Sequence, residues 1–278
     1  MNARLRPRSG PFASLAKCLV VAVVYALANA AAAVALGPFS RMQPTWDNLL
    51  VWLLAGILLC LALSPFVLRS SWSRLDTVLA VWGVMVSVRS LGLGIEGSLF
   101  KPTQARIAII GTLVGILVSL LVAWLLVQLL FANAGPLERG TKPRPWWGWL
   151  WRVLLVGLAY FLFYFGFGAA NAMLYTRSFY ESNPQYGLVL PPTSTIFLAE
   201  LIRGPLFGLG SLLLARSTEM PRRQTGLWLG LALFVLGGLA PYLETTFRTM
   251  PLGFNLATLL ELFLQNFLTG VVAARLYK

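Results

Sequence analysis

Eight apolar stretches, at about residues 17–37, 48–68, 77–99, 107–131, 149–171, 194–214, 225–246 and 252–274, take up nearly all of a 278-residue chain. Crossing ~30 Å of hydrocarbon takes about 20 mainly apolar residues at 1.5 Å rise each, so every stretch is long enough to span a bilayer. A spanning β-barrel would show ~10-residue segments of alternating character. Runs such as Leu113 to Leu130 are apolar nearly throughout, so the expected fold is all-α: a polytopic integral membrane bundle of eight transmembrane helices. No room is left for a soluble domain. Hydrophobic residues make up 58% and charged residues 11%, far from the mix of a soluble domain.

The formal charge of +13 raises the question of nucleic acid, which the placement of the basic residues answers. With a cytoplasmic N-terminus, the inner side holds Arg4, Arg6, Arg8, Lys17, Arg69, Arg74, Arg139, Lys142, Arg144, Arg152, Arg216, Arg222, Arg223, Arg275 and Lys278. The outer side holds Arg41, Lys101, Arg106, Arg177 and Arg248, while Arg89 and Arg203 fall inside spans. This is the bias of the positive-inside rule, and it puts both termini in the cytoplasm. The basic surplus then serves orientation and anionic headgroups rather than nucleic acid. A multi-pass protein of the cell membrane, of bacterial inner-membrane type, is the expected setting. The partners it implies are membrane lipids and helix–helix partner subunits.

Residues 1–16 form a basic tail without a small-residue cleavage site, so the first helix is expected to be a retained anchor. The tract Trp146-Trp147-Gly148-Trp149-Leu150-Trp151-Arg152 reads as an interfacial anchor at the start of the fifth helix. Cys18 and Cys60 lack the spacing of a metal or dithiol site and are expected to be free. The chain has no histidine, which removes Ser-His-Asp and Cys-His catalysis, HExxH zinc sites and imidazole ligation. Asp47 and Asp76 fall at opposite surfaces, so a paired-aspartate intramembrane site is not expected either. The sequence therefore suggests a non-enzyme with no metal site and assigns no cofactor.

The chain also reads as duplicated. Gln43-Pro44-Thr45 recurs 148 residues later as Pro191-Pro192-Thr193, and the same offset pairs Arg74 with Arg222 and Glu96 with Glu244. Ala28-Asn29-Ala30 answers Ala170-Asn171-Ala172 at 142. The expected organisation is a tail at 1–16, a four-helix repeat at 17–132, a cytoplasmic linker at 133–148 and a second four-helix repeat at 149–278. Four crossings per repeat make a 4+4 parallel tandem repeat, with a pseudo-two-fold axis along the membrane normal.

Candidate functional residues are the polar groups inside the spans, since an ionisable side chain there costs on the order of 2.5 to 3.5 kcal/mol. These are Arg89 in the third helix, Glu200 and Arg203 in the sixth, and Glu261, Gln265 and Asn266 in the eighth. Glu200 and Arg203 share a helix face and are expected to pair. Arg89 then needs Glu261, a lipid phosphate or a ligand anion. Glu96 and Glu244 are expected at the outer rim, facing Lys101 and Arg248 as exposed pairs of about 0 to 1 kcal/mol. Gly204-x-x-x-Gly208 with Pro205 suggests close helix approach beside the charges, and Gly111-x-x-x-Gly115 and Gly226-x-x-x-Gly230 offer further packing faces. Residues 172–193, with Tyr175, Tyr180 and Tyr186, are expected to be an outer loop acting as a lid or docking element.

All of this charge lies between the outer surface and mid-depth, which points to an outward-facing polar vestibule. The favoured expectation is a permease or transporter-like protein that binds a small anionic or amphipathic solute. The alternatives are a non-catalytic membrane subunit or assembly protein, whose apolar helices need no solute path, and a lipid-headgroup binding protein or flippase.

Overall fold

The computed structural model describes residues 11–37, 43–100, 105–131, 145–183 and 191–278. Among the described residues, eight helices are long and apolar enough to cross a membrane: α1 (Phe12–Leu36), α2 (Trp46–Leu68), α3 (Arg74–Ser98), α4 (Ala108–Leu130), α5 (Trp146–Ser182), α6 (Thr193–Ser217), α7 (Arg222–Thr245) and α8 (Leu252–Tyr277). Their starts follow local chemistry. The side chains of Thr45 and Ser73 accept from backbone N–H groups in the first turns of α2 and α3, and prolines precede α5, α6, α7 and α8, where a missing N–H is harmless.

Lipid is the solvent of this fold. Leu27, Leu117, Leu158, Leu162 and Leu201 all point outward with more than half of their surface exposed, an arrangement that hydrocarbon tolerates and water does not. The interior is closed by Leu59, Leu63, Phe66, Leu126, Phe207 and Leu214, none of which has measurable exposure. Small residues bring backbones together where helices cross. A Cβ at Gly204 would sit 2.5 Å from the carbonyl oxygen of Gly157, and one at Gly208 would sit 2.4 Å from that of Val153. The α5–α6 crossing therefore needs both glycines. Gly204→Ala should destabilise the bundle by about 1–3 kcal/mol through overpacking, read as a lower melting temperature in detergent. Gly230 is equally tight against Phe267 of α8, whereas Gly111 faces open space.

At the end of the bundle that holds the C-terminus, the α2–α3 and α6–α7 connections run antiparallel and meet at Ser70 and Thr218. The Ser71 N–H donates to Ser217 O (2.8 Å) and the Glu219 N–H to Arg69 O (3.0 Å). Lys278 Nζ donates to Thr218 O, and Tyr277 Oη to Gly208 O (2.8 Å). In the tryptophan tract, Trp146, Trp147 and Trp151 are exposed, while Arg216 lies over the Trp149 ring at 4.2 Å. Cys18 and Cys60 are buried free thiols.

Among the described residues, three helices contain π-helical turns: Met85–Leu91 in α3, Ala172–Thr176 in α5 and Val235–Leu239 in α7. The turn in α5 corrects the reading of 172–193 as a loop, because helix continues through it to Ser182. The extension packs on the start of α8, with Phe179 and Tyr180 against Phe254 at 4.6 and 5.9 Å between ring centroids. Aromatic side chains packing on α8 hold an element that polar residues alone marked as irregular. Tyr186, the basic residues before Pro11, Arg41, Lys101, Arg139, Lys142 and Arg144 lie outside the described residues.

Candidate functional site

The intramembrane charges gather in two clusters near the end of the bundle where the odd-numbered helices finish. The first is built by α1, α3 and α7. Arg89 lies within the π-helical turn of α3, and its Nη2 donates to Glu244 Oε2 and to Tyr25 Oη (2.5 Å). Tyr25 Oη in turn donates to Glu244 Oε1 (2.5 Å), which closes a triangle of three side chains. Arg89 and Glu244 keep only 12% and 11% side-chain exposure, so this is a buried ion pair and not a rim contact. The expectation that Glu244 faces Arg248 is thus corrected. One helical turn beyond the π segment of α7, Glu244 points back at α3, and Arg248 instead pairs with Asp47 (2.8 Å) and Asn48 (3.0 Å) at the surface. The expectation that Arg89 needs Glu261 or an external anion is corrected by the same contacts.

The second cluster joins α3, α5, α6 and α8. Arg203 Nη1 donates to Glu200 Oε1 (2.5 Å), the pair foreseen from the i,i+3 spacing. Its Nη2 donates to Glu96 Oε2 (3.0 Å), so Glu96 serves the interior from the end of α3. Arg203 and Glu200 are each 2% exposed, and the Arg203 guanidinium lies 5.8 and 5.9 Å from the Tyr160 and Tyr164 ring centroids. Glu261 Oε2 accepts from Asn171 Nδ2 (2.6 Å) against the glycine face of α5 at Gly168. Among the described residues no cation pairs with Glu261.

The two clusters differ in what adjoins them. Arg89, Glu244, Tyr25, Asn29, Ser90 and Thr112 line a partly open cavity of about 240 Å³ bordered by α1, α2, α3, α4 and α7. Arg89 Nη1 is buried without a hydrogen-bond partner. Neither Glu200, Arg203 nor Glu261 reaches this cavity, and neither do Gln265 and Asn266. Gln265 and Asn266 are buried in α8, where Asn266 Nδ2 donates to Leu262 O (2.7 Å) and the two side-chain carbonyls are left unpartnered. The six residues singled out in the spans therefore do not form one site. Arg89 belongs to a cavity, and the others belong to the packed α5–α6–α8 side.

Sequence reasoning passed over Tyr25, Tyr160 and Tyr164. The available signal was their hydroxyls, because a tyrosine deep in an apolar span has to find a polar partner or leave one unmade. Among the described residues no group of Cys, Asp and Glu is arranged to hold a metal ion. The fold and its buried ion pairs define a multi-pass helical membrane protein. In comparisons with family models, curated proteins and solved structures, none matched the chain.

Proposed function

We propose that this chain is a permease-like membrane protein that binds a small anionic or amphipathic solute in the cavity beside Arg89. The observation that carries the reading is a cavity inside an apolar bundle that is lined by Arg89, Glu244, Tyr25 and Asn29. At ~30 Å³ per water the cavity holds about eight waters or a solute of that size. An amphipathic solute matches better than a free anion, since Glu244 already offsets the Arg89 charge.

In this reading both termini are cytoplasmic and the cavity opens outward, in keeping with the fifteen inner against five outer basic residues. The architecture is read as a 4+4 parallel repeat. The paired bonds Ser71 to Ser217 and Glu219 to Arg69 exchange under a shift of 148, and Ser70 maps onto Thr218. Gly56 packs on Ala22 as Gly204, 148 residues on, packs on Gly157. Ala22 and Gly157 differ by 135, so these contacts favour that offset for α1 and α5 over the 142 of the Ala-Asn-Ala match.

The subunit or assembly-protein reading keeps one observation in its favour. Toward the terminal end the interior is sealed by Leu63, Phe66, Leu126, Leu214 and Leu229, all without exposure, and a carrier must open that seal.

Gly111 tests the cavity directly, because it lines the space and a Cβ there meets nothing within 4 Å. In a chain whose Cys18 and Cys60 are replaced by alanine, Gly111→Cys should react with a membrane-impermeant methanethiosulfonate applied outside the cell. Absence of labelling in the folded protein from that side would sink the outward-vestibule reading.

A further inference from the structure

The charged cluster on the α3–α5–α6–α8 side does not balance, because it sets the carboxyls of Glu96, Glu200 and Glu261 against the single guanidinium of Arg203. Glu200 and Arg203 form a buried neutral pair, and Glu96, the other partner of Arg203, keeps 34% side-chain exposure in which to carry its charge. Glu261 has neither remedy. It is half-buried on α8, roughly 14 Å along the helix from Leu252 at helical rise, and among the described residues no cation pairs with it. Its Oε2 accepts from Asn171 Nδ2 (2.6 Å), while Oε1 lies against the bare backbone of Gly168. The cluster is short of donors even where it is tightest, since Glu200 Oε2 is buried without one. Each element packed around Glu261 adds to the imbalance or leaves it unchanged. The charges that act on it are Glu96 of α3 and Glu200 of α6, both negative, and α5 brings the hydroxyls of Tyr164 and Tyr180. Gly230 and Gly238 of α7 pack on α8 without a charge, and the Tyr242 hydroxyl is taken by Asn255 nearer the start of the helix.

We propose that Glu261 is a proton-binding site, neutral while loaded and able to exchange its proton with the aqueous phase. A carboxylate with no cation at this depth neutralises rather than bear the cost of its charge in hydrocarbon. Loading removes one of the two surplus negative charges, and the other rests on Glu96, where exposure tolerates it. Unloading parts the O–H bond of the carboxyl, which keeps the electron pair while water takes the proton. Asn171 makes that step accessible, because its N–H groups can only donate and so favour the anion left behind. A side chain that changes charge inside the bundle lets the protein respond to a proton gradient, as a proton-driven carrier must. Glu261 does not reach the cavity beside Arg89, so the proton site stands or falls apart from the cavity reading.

The test is infrared spectroscopy of the full chain in phosphatidylcholine nanodiscs. In neutral buffer the parent should show a carbonyl band of a protonated carboxyl that Glu261→Gln lacks. The band should shift in deuterium oxide and vanish reversibly as the buffer is made alkaline. Glutamine keeps the size of the side chain and an acceptor for Asn171, so this variant is expected to fold. Glu96→Gln removes one of the two neighbouring negative charges and should weaken the hold on the proton about tenfold, read as loss of the band roughly one pH unit lower. Glu219→Gln, at an exposed position, should leave the band as it is. A parent spectrum matching that of Glu261→Gln in this region would overturn the site, as would a band that neither exchanges in deuterium oxide nor responds to pH. Should Glu261→Gln not be recovered folded, Glu96→Gln decides alone, and a band that vanishes no earlier than in the parent overturns the proposal.

Discussion

Arg203→Gln is expected to lower the unfolding free energy by about 3–5 kcal/mol, the usual cost of leaving a fully buried carboxylate without its cation. Glu200 would then keep its position at 2% exposure with no arginine beside it. Glu96 is less affected, because its side chain is 34% exposed and retains solvent access. The sign can be isolated by the double substitution Arg203→Met with Glu200→Leu, which removes both charges and keeps most of the volume. Stability should return to within roughly 1–2 kcal/mol of the parent, since apolar replacement of a buried pair is often neutral. Denaturation in mixed detergent micelles, followed by tryptophan emission, measures both. A single substitution as mild as an exposed pair, under about 1 kcal/mol, would mean that the guanidinium is not the partner of Glu200.

The second large effect concerns Arg89 and Glu244. Either Arg89→Gln or Glu244→Gln should cost about 3 kcal/mol, the lower end of the range for a broken buried pair, because both side chains keep about a tenth of their exposure. The double substitution should cost less than the sum of the singles, with a coupling energy within roughly 0.5–3 kcal/mol. Tyr25→Phe removes the hydroxyl that bridges the two and should take part of that coupling with it. Strict additivity of the singles would show that Arg89 and Glu244 do not interact.

The sequence made the eight spans legible because hydrocarbon imposes a length and an apolar composition that few soluble helices meet. Span edges fell within about five residues except at the end of α5, which runs past the expected 171 to Ser182, and the Glu200–Arg203 pair followed from helical spacing alone. Long-range pairing was less accessible. Glu244 stands three residues before Arg248 on the chain, yet its partner is Arg89 on a different helix, 155 residues away. What redirects it is the packing of α7 against α3, along with π-helical turns that change which face each helix presents. No hydrophobic pattern announces such turns. The tyrosines went unnoticed for a related reason, since tyrosine counts as apolar in a span while its hydroxyl forms the bridge between Arg89 and Glu244. The cavity itself had one trace in the sequence, the glycines Gly94, Gly111 and Gly115 on α3 and α4, which read equally well as packing faces. Gly115 does lie near Ser90, but Gly111 borders empty space.

Whether the polar cavity is a binding site or a by-product of packing is best tested by native mass spectrometry of the protein gently extracted from its own membranes, as the parent chain and as Gly111→Leu. Leucine at 111 adds its side chain to the cavity, where a Cβ meets nothing within 4 Å, so melting temperature should stay within about 2 °C. A binding site requires the parent to carry a stoichiometric small molecule or lipid that Gly111→Leu loses. An adduct retained by the filled variant, or a parent chain bearing only stoichiometric protein partners, would contradict it and make the bundle a subunit of a larger membrane complex.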